Sequence, residues 1–246
     1  MSYFIPPDPD KTVTALILAG GLGSRLRTIA ADHPKVLAPV AGRPFLTYLL
    51  DQLIATGFRH VVLCTGYKGK QVKKTFGNNY NNLAIQYSQE PEPLGTGGAL
   101  RFALPMIHTK SVLVFNGDSY VKSKLQEFLV WYFEKKPLAA LLLARLSDTR
   151  RYGQVEFDTN VRVISFEEKG ARLGLGWINA GVYLFNRSLI ESIPDGKPIS
   201  LELDIFPSLI AKGLYGFRCE DAFIDIGTPE SYAEAEVFFK KLDTHS

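Results

Sequence analysis

One apolar run constrains this chain more than any other feature: Val13 to Ala19 reads VTALILA and stops at Gly20-Gly21-Leu22-Gly23. So short a run rich in branched residues predicts a buried strand. The glycines that end it predict a loop in which backbone N–H groups come close to a ligand, since no side chains stand in the way. Two nucleotide motifs fail on spacing. The dinucleotide fingerprint needs a third glycine where Leu26 stands, and no Gly-Lys-Ser/Thr follows at the interval of a P-loop.

The same strand, helix, strand rhythm continues. Apolar spacing predicts a helix over Pro44 to Thr56, a strand at His60 to Thr65, a short helix at Gln71 to Phe76 and a strand at Leu83 to Ser88. A helix is expected over Gly97 to Ile107, a strand at Ser111 to Phe115, a helix at Leu125 to Glu134 and a strand at Leu138 to Ala144. This is an α/β pattern with a wound, largely parallel sheet. After about Asp148 it changes to a hairpin (Gly153 to Phe157, Val161 to Glu167), a strand at Asn179 to Phe185 and a helix at Glu202 to Ile210. Strands at Leu214 to Cys219 and Ala222 to Ile226 and a closing helix at Pro229 to Leu242 complete the chain. No repeat or Gly/Ser linker divides it. Residues 1–246 are therefore expected to form one domain, with about 12–147 as one part and about 148–242 as a smaller α+β lobe sharing the sheet.

With 28 Lys plus Arg against 25 Asp plus Glu, the net charge of +3 is too small to announce a nucleic-acid partner. The start of the chain lacks the basic and apolar regions of a secretory signal, and no apolar segment is long enough to span a membrane. A cytoplasmic setting without a membrane partner is the expectation, and it suits Cys64 and Cys219 as buried thiols.

Behind the glycine loop stand Arg25, Arg27 and Lys35. Arg can clamp two phosphate oxygens in its planar fork, and Lys can act as a point charge. Asp118, in Asn116-Gly117-Asp118-Ser119, and Asp225, in Phe223-Ile224-Asp225-Ile226-Gly227, both fall near strand ends, where open α/β sheets place ligands. A hard cation such as Mg²⁺ takes one or two carboxylates together with phosphate oxygens.

The run Leu18 to Arg27 (LAGGLGSRLR) and Pro34 to Val40 (PKVLAPV) together resemble the signature of the sugar-phosphate nucleotidyltransferase family over nearly the whole chain. Ser24 stands where the family usually has Thr, and Val36 where it favours Pro. The resemblance implies a Rossmann-like, GT-A-like fold and transfer of a nucleoside monophosphate to a sugar 1-phosphate, with pyrophosphate as the other product and Mg²⁺ as cofactor. It implies nucleotide contacts at Leu18, Ala19, Gly20, Gly21, Gly23, Ser24, Arg25, Gly95, Thr96, Asn116 and Gly117, with Asp118 and Asp225 as metal ligands. Tyr152, Gly153, Glu168, Lys169, Asn179 and Ala180 would face the sugar phosphate, and Arg25, Lys35, Asp118, Lys169 and Asp225 would carry the catalysis.

The family's nucleobase stretch falls at Gln89 to Ala99, where the glycines admit a flat ring and a new helix is expected to offer N–H groups. Glu90 or Glu92 can accept from guanine N1–H and N2–H together. This favours GTP, with a pyrimidine triphosphate still open. Pro39 to Leu46, Glu92 to Ala99 and Ser200 to Pro207 bring the resemblance nearer to the D-glycero-α-D-manno-heptose 1-phosphate guanylyltransferases of nucleotide-sugar biosynthesis. Mannose, glucose or N-acetylmuramate 1-phosphate are the other acceptors to weigh, and a catalytically silent sugar-nucleotide-binding subunit is the rival of a different class. A homo-oligomer is the base-rate expectation.

Overall fold

Strand β1 (Val13–Leu18) shows why the sheet forms: Leu16 and Ile17 have no solvent exposure although their side chains point to opposite faces. Ala15 and Ile17 enter one apolar layer and Leu16 the other, so both faces of the strand must be covered. The computed structural model describes residues 8–21, 33–122, 125–167 and 174–243. A short helix α1 (Pro9–Thr12) leads into β1.

After β1, the two-residue strands β2 (Pro39–Val40) and β3 (Arg43–Pro44) form a small ladder. It takes up Pro44, which the sequence reading put in the first helical turn. Helix α2 (Leu46–Thr56) buries Leu46, Leu49, Leu50 and Leu53, one face at helical spacing, and stops at Gly57, whose φ of 101° closes the cap. Then follow β4 (His60–Thr65), α3 (Gly69–Phe76), β5 (Asn79–Tyr80), β6 (Leu83–Gln89) and α4 (Gly95–Phe102). The expected helix to Ile107 breaks after Phe102 and resumes as a 3₁₀ turn at Leu104–Met106, where Pro105 has no N–H to continue it.

The chain goes on through β7 (Ser111–Asn116), β8 (Ser119–Val121), α5 (Leu125–Lys135), β9 (Ala139–Leu146), β10 (Gln154–Phe157), β11 (Val163–Glu167), β12 (Gly176–Asn186) and α6 (Arg187–Ser192). It closes with α7 (Phe206–Ile210), β13 (Leu214–Cys219), β14 (Phe223–Asp225) and α8 (Pro229–Asp243). The helix expected over Glu202 to Ile210 is two pieces. A wide π turn at Leu201–Ile205 precedes α7, because Pro207 cannot donate to the carbonyl four residues back.

The central sheet runs β11-β10-β12-β7-β1-β4-β6-β5, with β9 and β13 continuing from β12. Strands β7, β1, β4 and β6 are parallel and β12 is antiparallel to both β7 and β9. This is the mixed, Rossmann-like α/β sheet flanked by helices that the sequence implied. One strand is displaced from its expected company: β9 pairs with β12 and β13 rather than with the parallel set, because the long β12 inserts beside β7. Among the described residues no helix is long and apolar enough to cross a membrane.

Candidate active site

The parallel strands β1, β4, β6 and β7 end on one side of the sheet, and a cavity of about 940 Å³ opens there. Gly20 and Gly21 enter it from β1, Glu90 from β6, and Asn116, Gly117 and Asp118 from β7. Gly117 is pressed onto the neighbouring strand: its N–H donates to Leu18 O at 2.9 Å, and a Cβ there would lie 2.5 Å from that oxygen. The contact explains why a glycine precedes Asp118 and fixes where the carboxylate emerges.

Asp118 and Asp225 are separated by more than a hundred residues, yet the β8–β14 ladder brings them together. Asp225 pairs with Ser119, and Ile226 N–H donates to Asp118 O at 2.9 Å. Each carboxylate faces a cation. Lys35 Nζ stands 2.6 Å from Asp118 Oδ2, and Arg151 Nη2 donates to Asp225 Oδ1 and Oδ2 at 3.1 and 3.0 Å. Asp225 Oδ1 also accepts from Gly227 N–H at 2.8 Å and from the fully buried Ser231 hydroxyl at 2.6 Å. Burial and the Asp225 carboxylate together raise the Tyr152 phenol well above its usual range. A divalent metal fits this donor set. Among the described residues no group of three or more His, Cys, Asp or Glu side chains could hold a metal ion by itself; Asp118 and Asp225 would do so together with ligand phosphates, a donor set of the kind Mg²⁺ accepts.

The β6 end of the cavity belongs to Glu90. Its Oε1 lies where a Cβ on Gly20 or Gly66 would come within 2.8 or 2.6 Å, so both glycines make room for this carboxylate. Burial raises the Glu90 pKa, opposed by the Leu94 N–H, which donates to Oε2 at 3.3 Å. A raised folded-state pKa means that the charged form costs stability at neutral pH and the protonated form does not. Glu90→Gln should therefore raise the thermal midpoint at pH 7, with the gain disappearing as pH falls through the raised pKa to below the ordinary glutamate range. Thermal melts of both proteins from pH 7 down to pH 4 would test this, and a gain unchanged across the range would contradict it. Cys64, also on the cavity wall, has its thiol pushed up to about 12 by burial and by Glu90, so it is no nucleophile at neutral pH.

Three sequence expectations need correction. Glu92 is exposed and does not line the cavity. Two of the N–H groups expected to be free at the start of α4 are already used: Gly97 and Gly98 donate to Ile199 O at 2.8 and 3.2 Å. Gly95, Gly97 and Gly98 instead let the segment 197–199 cross the helix, each lying where a Cβ would meet that segment at 3.0 Å or less. Gly95 and Thr96 still border the cavity. Ala180 is fully buried behind the wall, with its carbonyl accepting from Ser119 Oγ at 3.3 Å.

Tyr152, Gly153 and Asn179 also line the cavity. Trp177 packs edge-on against Phe157 at 5.8 Å. Gly23, Ser24, Arg25, Glu168 and Lys169 lie outside the described residues. Sequence reading missed Arg151 and Glu202 as site residues, and both line the cavity together with Gly181. Arg151 adjoins the Tyr152-Gly153 turn and was legible as a basic residue beside it. Gly181 marks a bulge in β12: with a φ of +76°, it lies where a Cβ would come 2.4 Å from Ser119 Oγ.

Comparison with known proteins agrees with this geometry. The family model described as Nucleotidyl transferase matches residues 14–241. A D-glycero-alpha-D-manno-heptose 1-phosphate guanylyltransferase of Aneurinibacillus thermoaerophilus is 38% identical over 223 residues, covering 90% of this chain and 96% of its own. A mannose-1-phosphate guanylyltransferase of Mycobacterium tuberculosis is 38% identical over 224 residues, 89% of this chain, which spans 62% of that relative's length. The crystal structure of HddC from Yersinia pseudotuberculosis complexed with GMP-PN superposes with a TM-score of 0.81 at 34% identity, covering 92% of this chain and 99% of that one. With the glycine strand end, the paired aspartates and this agreement over nearly its whole length, the chain belongs to the nucleotidyl transferase family, among the relatives of the heptose 1-phosphate guanylyltransferases.

Proposed function

We propose that the chain transfers GMP from GTP to D-glycero-α-D-manno-heptose 1-phosphate, yielding GDP-heptose and pyrophosphate, with Mg²⁺ as the metal. The observation that carries this reading is that one cavity holds a glycine strand end, an acceptor carboxylate at Glu90, the Asp118–Asp225 pair and a second polar wall at Tyr152, Gly153 and Asn179. Two ligands meeting over a pair of carboxylates is the arrangement this transfer needs. Relatives named for guanylyl transfer to heptose or mannose 1-phosphate support the choice of nucleotide and sugar. We assign about 12–147 to the nucleotide and about 148–242 to the acceptor, with Asp225 supplied by the second part. The buried free thiols Cys64 and Cys219 suit a reducing cytoplasm.

The acceptor phosphate is ionised at neutral pH and serves as its own nucleophile. One of its oxygens forms a bond to the α-phosphorus as the bond from that phosphorus to the pyrophosphate oxygen breaks, so no general base is required. The protein's task is positioning and charge neutralisation. Lys35 stands beside the carboxylate pair as a cation for phosphate oxygens, and Arg25 and Lys169 are assigned the same duty at the pyrophosphate and the acceptor phosphate. Asp118 and Asp225 would hold the Mg²⁺, whose contribution is to neutralise phosphate charge. Glu90 accepts from the guanine edge.

Pyrophosphate release with Mg²⁺, measured for four ribonucleoside triphosphates against heptose, mannose, glucose and N-acetylmuramate 1-phosphates, tests this directly. GTP with heptose 1-phosphate should be the fastest pair. A preference for another pair would replace the substrates, and no turnover with any pair would favour a silent sugar-nucleotide-binding subunit.

A further inference from the structure

Tyr183 is fully buried, stacked on Phe185 at 5.6 Å and tilted against Phe206 at 5.2 Å, yet polar side chains converge on its hydroxyl. Asn116 Nδ2 and Asn179 Nδ2 donate to it at 3.1 and 2.9 Å. A phenol offers two lone pairs and one hydrogen. With both lone pairs taken, its hydrogen turns to the remaining neighbour, Glu202 Oε1, through a long contact of 3.5 Å. The other carboxylate oxygen is held firmly: Oε2 accepts from Thr96 Oγ1 at 2.8 Å and from Ser200 Oγ at 3.0 Å. Glu202 is thus pinned on the cavity wall by one oxygen and faces Tyr183 only weakly with the other. The same sorting turns the Asn116 carbonyl oxygen away from Tyr183, where it is buried with no hydrogen-bond partner among the described residues.

Asp118 and Asp225 each face a cation, whereas Glu202 is held by hydroxyls alone among the described residues, and a carboxylate so placed repels a polyphosphate. What meets it must be neutral and rich in donors. Glu202 and Glu90 are held by the same short segment, Glu90 by the Leu94 N–H and Glu202 by Thr96 Oγ1, but only Glu202 adjoins Tyr183, whose hydroxyl also takes Asn179. The hydroxyls of the acceptor sugar match the carboxylate on the Asn179 side, Glu202.

We propose that Glu202 is a specificity-determining residue whose Oε1 accepts a hydroxyl of the acceptor sugar, and that Thr96, Ser200 and Tyr183 hold it for this purpose. The inference rests on the functional reading above. Steady-state kinetics of the wild-type, Glu202→Gln and Glu202→Asp enzymes would test it, with GTP and sugar 1-phosphate varied in turn. The panel should include mannose 1-phosphates that each lack one ring hydroxyl. The KM for the sugar 1-phosphate should rise about tenfold or more in Glu202→Gln, with the KM for GTP and the GTP-to-UTP preference unchanged. One deoxy analogue should be penalised in the wild type and carry no added penalty in the variant. Glu202→Asp keeps the charge and shortens the reach, so it should show the acceptor defect with the KM for GTP unchanged, beside a modest fall in thermal midpoint from the weakened bonds to Thr96 and Ser200. An unchanged acceptor KM in both variants would overturn the proposal, and a shifted GTP-to-UTP preference would assign Glu202 to the base instead. Absence of wild-type turnover with every acceptor would remove the parent reading, and this one with it.

Discussion

Asp118→Asn and Asp225→Asn should each lower kcat by on the order of a hundred- to a thousandfold while leaving the fold nearly as stable as before. The separation of the two effects follows from what surrounds each carboxylate. The Asp118 side chain is 44% exposed, and an asparagine there keeps an oxygen that can accept from Lys35, whose side chain is 15% exposed, so the substitution costs little stability. Asp225 is far more enclosed, at 12% exposure, and an asparagine there keeps the carbonyl oxygen that Gly227 N–H and Ser231 Oγ need. Its amide would face Arg151, whose side chain is 40% exposed and can turn to water. A change in thermal midpoint of a few degrees is therefore expected beside the collapse in turnover. The check is turnover and melting of each variant at saturating GTP, acceptor and Mg²⁺. Magnesium-dependent turnover within a fewfold of wild type would take that residue out of the metal site.

The two aspartates also show how far the sequence could be read. Each stood beside a strand end, and that local context was visible in Asn116-Gly117-Asp118 and Phe223-Ile224-Asp225. Their meeting was not, because β8 is only three residues long and its partner lies a hundred residues away in the chain. Strands rich in apolar residues announced themselves: β4, buried on both faces beyond His60, and β13, partly exposed, begin and end where hydrophobicity put them. Features set by contacts distant in sequence stayed silent. The bulge at Gly181 answers to Ser119, the π turn presenting Glu202 precedes Pro207, and Arg151 gains meaning only against Asp225. Glycines misled for a related reason. A glycine signals that a side chain would be in the way without saying of what, so Gly95, Gly97 and Gly98 were read as space for a nucleobase when they chiefly admit the segment 197–199.

Gly95→Ala gives that reassignment a measurable consequence, and a severe one. Gly95 has a φ of +72°, where an alanine Cβ costs about 1–2 kcal/mol. The new carbon would also lie 2.5 Å from Ile199 O and 3.0 Å from Ile199 C, which are backbone atoms that cannot swing aside as a side chain would. Overpacking of this kind adds about 1–3 kcal/mol. Together these predict a loss of roughly 2–5 kcal/mol and a fall in thermal midpoint of roughly 5–15 °C for a chain of this size. Gly77→Ala is the control, since Gly77 shares the positive φ, at 60°, but has nothing within 4 Å of its would-be Cβ. It should cost only the conformational part. Displacing Ile199 would also disturb its bonds with Gly97 and Gly98, the Leu201 N–H bond to Thr96 Oγ1 and, through Thr96, the seat of Glu202. Surviving Gly95→Ala protein should accordingly show a larger rise in KM for the sugar 1-phosphate than for GTP. Equal melting of the two alanine variants would refute the close approach, whereas a large stability loss with the GTP KM rising more would return these glycines to the nucleotide.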